Sequence, residues 1–158
     1  MKKKICMVGH FGVGKTSLVR RFVESMFEDK YLTTLGVKID KKEVVVNGQA
    51  ITLMLWDIAG EDDLAQLRVA HLRGAHGYIL VVDGCRAVTL EKAKELQKRV
   101  TDTIGPVPFI LVINKCDLRD RWEVLQADIE ACGWPTFETS AKSGSGVEEM
   151  FLGLASRL

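Results

Sequence analysis

The sequence predicts an α/β architecture: a six-stranded, mostly parallel sheet with one antiparallel strand and helices on both faces. Strand-like and helix-like segments alternate along the chain. Two apolar runs, residues 77–82 and 109–113, are nearly unbroken, as strands read when helices cover both of their faces. Asn47-Gly48 lies between two further strand-like runs and is a strong hairpin signal, which puts one antiparallel pair into the parallel order.

The elements follow in sequence. Residues 3–8 form a short apolar strand that ends in a glycine-rich loop. Residues 16–26 carry Leu18, Val19, Phe22, Val23 and Met26 at helical spacing. Residues 37–46 and 50–56 read as the hairpin strands. In the second of these, Ile51, Leu53 and Leu55 alternate with Thr52, Met54 and Trp56, so one face is more apolar. Residues 90–104 and 121–131 read as amphipathic helices around the 109–113 strand. A strand over 134–139 and a helix over 147–158 complete the order β-α-β-β-α-β-α-β-α-β-α. No repeat or linker interrupts it, so the 158 residues read as one domain, 1–158.

Bulk properties narrow the function classes. The net charge is +1, which gives no nucleic-acid surface, and Lys2, Lys3 and Lys4 read as a solvated start to the first strand. Cys6, Cys85, Cys116 and Cys132 show no CxxC pair or zinc spacing and read as buried free thiols, in keeping with a reducing compartment. No signal peptide opens the chain, and no apolar stretch approaches the roughly 20 residues a membrane helix needs. The expected location is cytoplasmic.

Gly9-His10-Phe11-Gly12-Val13-Gly14-Lys15-Thr16 fits G-x-x-x-x-G-K-[ST] between a strand and a helix. Its glycines let the backbone wrap an anion, with loop amides and the helix N-terminus aimed at phosphates. Gly12, Val13, Gly14 and Ser17 are expected against the nucleotide. Lys15 would reach the β- and γ-phosphates, and the Thr16 hydroxyl would ligate Mg²⁺. The motif indicates a nucleotide without naming its base.

Asn114-Lys115-Cys116-Asp117 follows the 109–113 strand and resembles the GTPase base motif NKxD; Thr139-Ser140-Ala141-Lys142 resembles the companion SAK loop. Alone, the first tetrapeptide also reads as a polar turn. The chemistry fits guanine. An Asp117 carboxylate only accepts, and guanine offers two adjacent donors, whereas adenine presents an acceptor at N1. The resemblance implies that Asn114 braces the loop, that Lys115 and Lys142 flank the ring, and that Ser140 and the Ala141 amide complete the base site.

Two more segments extend the resemblance to the Ras superfamily, and to its Rab branch in particular. Trp56-Asp57-Ile58-Ala59-Gly60-Glu61 is similar to WDxAGQ, which implies Asp57 on Mg²⁺ through a water and the Gly60 amide on the γ-phosphate. Tyr31-Leu32-Thr33-Thr34-Leu35-Gly36-Val37 resembles the Rab pattern YxxTIGV. It implies Tyr31 near the nucleotide and Thr34 on Mg²⁺ and the γ-phosphate. Thr33 competes, but Leu-Gly-Val follows Thr34 directly. Phe27 stands where the family places an aromatic against guanine, with core packing as the alternative. Arg73-Gly74-Ala75-His76-Gly77 also resembles Rabs, and His71 and His76 read as packing or surface residues.

The resemblance implies a P-loop G domain that binds GTP and GDP with Mg²⁺, hydrolyses GTP, and meets effector, exchange and activating proteins through residues 27–37 and 58–73. Lys15, Thr34, Gly60 and residue 61 would carry catalysis. Three departures qualify it. Residue 61 is glutamate, not the family's glutamine. Phe11 occupies a position commonly glycine in Ras. The chain ends at Ala155-Ser156-Arg157-Leu158 without a prenylation cysteine, and Lys2 excludes myristoylation, so no intrinsic membrane anchor is expected. That ending is compatible with a prokaryotic relative or with removal of a longer tail. Glu61 and Phe11 also sustain an alternative function, a nucleotide-stabilised interaction module with negligible hydrolysis. Slow hydrolysis without a partner is the leading expectation.

Overall fold

The computed structural model describes residues 1–23, 30–32, 38–58 and 69–158. Among these, the strands are β1 (Lys2–Gly9), β2 (Lys30–Leu32), β3 (Lys38–Val46), β4 (Gln49–Asp57), β5 (Gly77–Asp83), β6 (Phe109–Asn114) and β7 (Thr136–Glu138). The helices are α1 (Lys15–Val23), α2 (Val69–Leu72), α3 (Ala87–Ile104), α4 (Gln126–Cys132) and α5 (Val147–Ala155). The strands form one sheet in the order β2-β3-β4-β1-β5-β6-β7. β3 runs against its neighbours and the remaining pairs β1–β4, β1–β5, β5–β6 and β6–β7 are parallel. The six expected strands are therefore present, with one antiparallel. The three-residue β2 adds a seventh among the described residues, pairing with β3 at the sheet edge.

Strict alternation explains the unbroken apolar runs. Ile79, Val81, Ile110 and Val112 pack on one face with Leu18, Phe22, Met150 and Phe151 of α1 and α5. Tyr78, Leu80, Val82, Leu111 and Ile113 pack on the other with Leu90, Leu96 and Ile129 of α3 and α4. A strand covered on both sides has no polar face to show, so periodicity vanishes from its sequence. β4 keeps its alternation: Ile51, Leu53 and Leu55 are buried, and Thr52, Met54 and Trp56 are half-buried. Asn47 and Gly48 both take positive φ, as a two-residue type I′ hairpin requires, and Val46 pairs with Gln49 across it.

The helix expected over 121–131 is replaced by a 3₁₀ turn (Cys116–Arg121), an extended break and the shorter α4. Tertiary hydrogen bonds outcompete the helix there. The backbone N–H groups of Glu123 and Val124 donate to the Gly84 carbonyl at 2.9 and 3.1 Å, away from any helical acceptor. The last helix stops at Ala155 instead of Leu158, and residues 156–158 continue as a hydrogen-bonded turn. The expectation of buried thiols holds for Cys6 alone: Cys85, Cys116 and Cys132 are half-exposed, and all four are free. His71 is buried, and the exposed His76 accepts at Nδ1 from the Lys4 amide, 2.8 Å. No helix among the described residues is long and apolar enough to cross a membrane.

In this topology β1 lies between β4 and β5, and the segments carrying the sequence motifs leave the carboxyl ends of β1, β4, β6 and β7. A parallel sheet binds ligands at that edge.

Candidate nucleotide site

The loop from His10 to Gly14 turns directly into α1, whose first residue is Lys15. Lys15 is buried, and its Nζ donates to the Gly9 carbonyl at 2.7 Å, which folds the ammonium back over the loop. One residue on, Thr16 Oγ1 donates to Asp57 Oδ2 at 2.5 Å. Asp57 ends β4 fully buried, and its Oδ1 has no hydrogen-bond partner among the described residues. A buried carboxylate with one open oxygen is costly unless a cation or donor completes it. With the Thr16 hydroxyl beside it, it offers the hard oxygen set that Mg²⁺ takes, and the residues present fit that ion.

Asn114 closes the second part of the site. It ends β6, is 3% exposed, and uses both ends of its amide. Nδ2 donates to the Val13 carbonyl at 3.0 Å, while Oδ1 accepts from Thr139 Oγ1 and from the Ala141 N–H, each at 3.2 Å. One side chain thus joins the loops after β1, β6 and β7. The approach is so close that a Cβ on Gly14 would lie 2.3 Å from Asn114 Nδ2, and Gly14 also sits at φ +104°; both conditions require glycine.

Beyond Asn114, the Asp117 carboxylate accepts at Oδ1 from the buried Ser140 hydroxyl, 2.8 Å, and is otherwise exposed. Ser140 Oγ in turn accepts the Ser143 amide at 3.0 Å. Lys115 takes a left-handed backbone, φ 73°, and its Nζ donates to Asp83 Oδ2 at 2.7 Å. Asp83 is fully buried and accepts the Cys85 amide at its other oxygen. The indole of Trp122 rests on Gly84 and donates to the Lys115 carbonyl at 2.9 Å.

Asn114, Lys115 and Asp117 border a cavity of about 530 Å³, within the range of small-molecule sites. Gly12, Gly14 and Ser17 form its first wall, Asn114, Lys115 and Asp117 its second, and Ala141 and Lys142 its third. A smaller hollow of about 280 Å³ follows the loop past Val13, Lys15 and Thr16. The sequence-derived residues of the phosphate loop and both base loops therefore converge. Thr34, Gly60, Glu61 and Phe27 lie outside the described residues, as does the Tyr31 side chain.

Some residues of the site escaped the sequence reading. Arg20, Arg21 and Leu118 also border the larger cavity, and nothing in α1 marked its two arginines. Asp83 carried a usable signal, a carboxylate closing an otherwise apolar strand.

A glycine loop between strand and helix, a buried lysine folded over it, and a carboxylate-bearing loop after β6 define a P-loop nucleotide-binding protein of the G-domain class. The Ras family model matches residues 4–158. The chain is 38% identical to the Ras-related protein Rab-13 of Mesocricetus auratus over 157 residues, covering 96% of this chain and 77% of that protein. It is 37% identical to the Ras-related protein SEC4 of Saccharomyces cerevisiae, over 96% and 73% of the two chains, and 32% identical to that organism's GTP-binding protein YPT1, over 98% and 78%. The chain belongs to the Ras family and is a Rab-like small GTPase.

Proposed function

We propose that residues 1–158 form one G domain that cycles between GTP- and GDP-bound states with Mg²⁺, hydrolyses GTP slowly when unaided, and signals to protein partners in the cytoplasm. The observation that carries this reading is Asn114, which ties the phosphate loop to both base loops around one cavity.

Asp117 selects guanine by accepting from its two adjacent donors. Adenine would leave the carboxylate facing a ring acceptor, at a cost of a few kcal/mol for the lost pairing. Asn114, Ser140 and Ala141 hold that carboxylate and loop in place, and Lys115 and Lys142 flank the base. The amides from Gly12 to Ser17 bind the phosphates. Lys15 redirects its ammonium from the Gly9 carbonyl toward the β- and γ-phosphates and stabilises charge that develops during water attack. Thr16, and Asp57 through a water, would hold Mg²⁺, with Thr34 as a further ligand; when bound, the ion would neutralise phosphate charge. Gly60 and Thr34 position the group being transferred. Residues 27–37 and 58–73 meet effector, exchange and activating proteins.

Slow turnover rests on residues 61 and 11. Ionised Glu61 accepts but does not donate, and it carries negative charge toward a triphosphate. Phe11 is 59% exposed on the phosphate loop. A ring exposed there would obstruct the route of an arginine from an activating protein, so no Ras-type finger is expected to serve this protein. The same exposed ring supports the second reading, a nucleotide-stabilised interaction module that does not hydrolyse. Equilibrium binding of GDP, GTP and ATP with Mg²⁺ tests the first claim. Nanomolar-range guanine nucleotide binding with far weaker ATP is expected; equal affinity for ATP would refute the base assignment.

A further inference from the structure

Arg86 is an unexpected residue for its position. It is the N-cap of α3, φ −131°, and makes no side-chain cap. Ser, Thr, Asp and Asn are the residues that stabilise such a position, and a cation there opposes the positive end of the helix dipole. The cap is supplied from elsewhere: Glu123 Oε1 accepts the Ala87 N–H at 3.0 Å. Relieved of capping, the Arg86 side chain crosses to the phosphate loop, where Nη1 donates to the Phe11 carbonyl at 3.0 Å. It lies against the outer side of Gly12, since a Cβ built there would come within 3.3 Å of Nη1. Its other N–H groups have no partner among the described residues.

The Phe11 carbonyl belongs to the same peptide unit as the Gly12 N–H. A cation on the carbonyl draws electron density from that peptide and makes its N–H a stronger, more fixed donor. We propose that Arg86 is a positioning residue for the phosphate groups: held on the outside of the loop by the Phe11 carbonyl, it aims and strengthens the Gly12 amide that faces the β- and γ-phosphates. The chain thereby carries a cation of its own at the loop whose outer approach Phe11 obstructs. The inference rests on the reading of the site as a guanine-nucleotide site.

The experiment compares the 158-residue chain with Arg86→Ser and Arg86→Lys. Serine is a favourable N-cap, so R86S keeps α3 while removing the cation. Affinities for GDP and GMP are measured together with the ¹H–¹⁵N resonance of Gly12 in the GDP complex. R86S is expected to bind GDP about five- to tenfold more weakly and GMP within about twofold, with the Gly12 amide proton shifted upfield. R86K, which keeps a cation, recovers most of the loss. Unchanged GDP affinity and an unmoved Gly12 resonance in R86S would overturn the proposal while leaving the nucleotide site intact. Equal weakening for GDP and GMP would overturn it too, by indicating general loosening. Should R86S not fold, an R86K protein with GDP affinity and Gly12 shift like the unsubstituted chain supports the proposal, and one that binds GDP tenfold more weakly refutes it. Absence of GDP binding by the unsubstituted chain would refute the underlying reading of the site, and the role of Arg86 with it.

Discussion

Replacing Asp117 with asparagine puts a donor where the carboxylate can only accept. Xanthine carries a carbonyl where guanine has its 2-amino group, so Asp117→Asn is expected to favour xanthine over guanine nucleotides by about 100-fold or more, read by competition between XDP and GDP. Unaltered GDP preference would remove Asp117 from base recognition. A second residue-scale expectation concerns Cys6. Burial pushes its thiol up to about 12, only partly offset by the Lys4 charge, and Sγ donates to the His71 carbonyl at 3.4 Å. The folded value lies above the ordinary 9.0, so the native state retains a proton that the unfolded chain releases. The associated stability is intact below pH 9 and is lost progressively as the pH rises from there toward 12. Cys6→Ala flattens that slope in urea titrations if the cause is right. Iodoacetamide at pH 8 should leave Cys6 unmodified in the folded protein and label the half-exposed Cys116.

At the scale of elements, the loops after β1, β6 and β7 are held as a unit by one amide. Asn114→Ala strands the Val13 carbonyl and the Ala141 N–H together, at about 2–4 kcal/mol of stability by urea denaturation, with GDP affinity lowered by 100-fold or more. A loss confined to stability would make Asn114 a brace without a role in binding. Asn114 was readable in the sequence because its tetrapeptide follows an apolar strand. Its contact with Val13 was not, since it spans 101 positions. The break at residues 122–125 shows the same limit. Local periodicity favoured a helix from residue 121, yet the Gly84 carbonyl and the α3 N-terminus claimed the backbone and side chain of Glu123. Turn chemistry was more faithful, because Asn47-Gly48 specifies its geometry without help from distant residues. The β2 strand was missed for a related reason: three residues pair only because β3 offers an edge.

For the whole molecule, one sheet with a different helical layer on each face delivers separate loops to one edge, and the nucleotide joins them. In the proposed reading Mg²⁺ would couple that edge through Thr16 and Asp57. Chelation with EDTA is therefore expected to accelerate release of a fluorescent GDP analogue at least about tenfold, and Asp57→Ala should bring release near the chelated rate with Mg²⁺ present. Insensitivity to EDTA would contradict the ion's place in the site. The central claim, a slow hydrolysing switch, is tested most directly by single-turnover GTP hydrolysis. The 158-residue chain, loaded with GTP and started with Mg²⁺, should form GDP at about one per minute or slower. Lys15→Ala should abolish the reaction, and Phe11→Gly should leave it slow without a partner. Several turnovers per second by the unaided protein, or no GDP formed above a no-protein control after a day, would contradict the account.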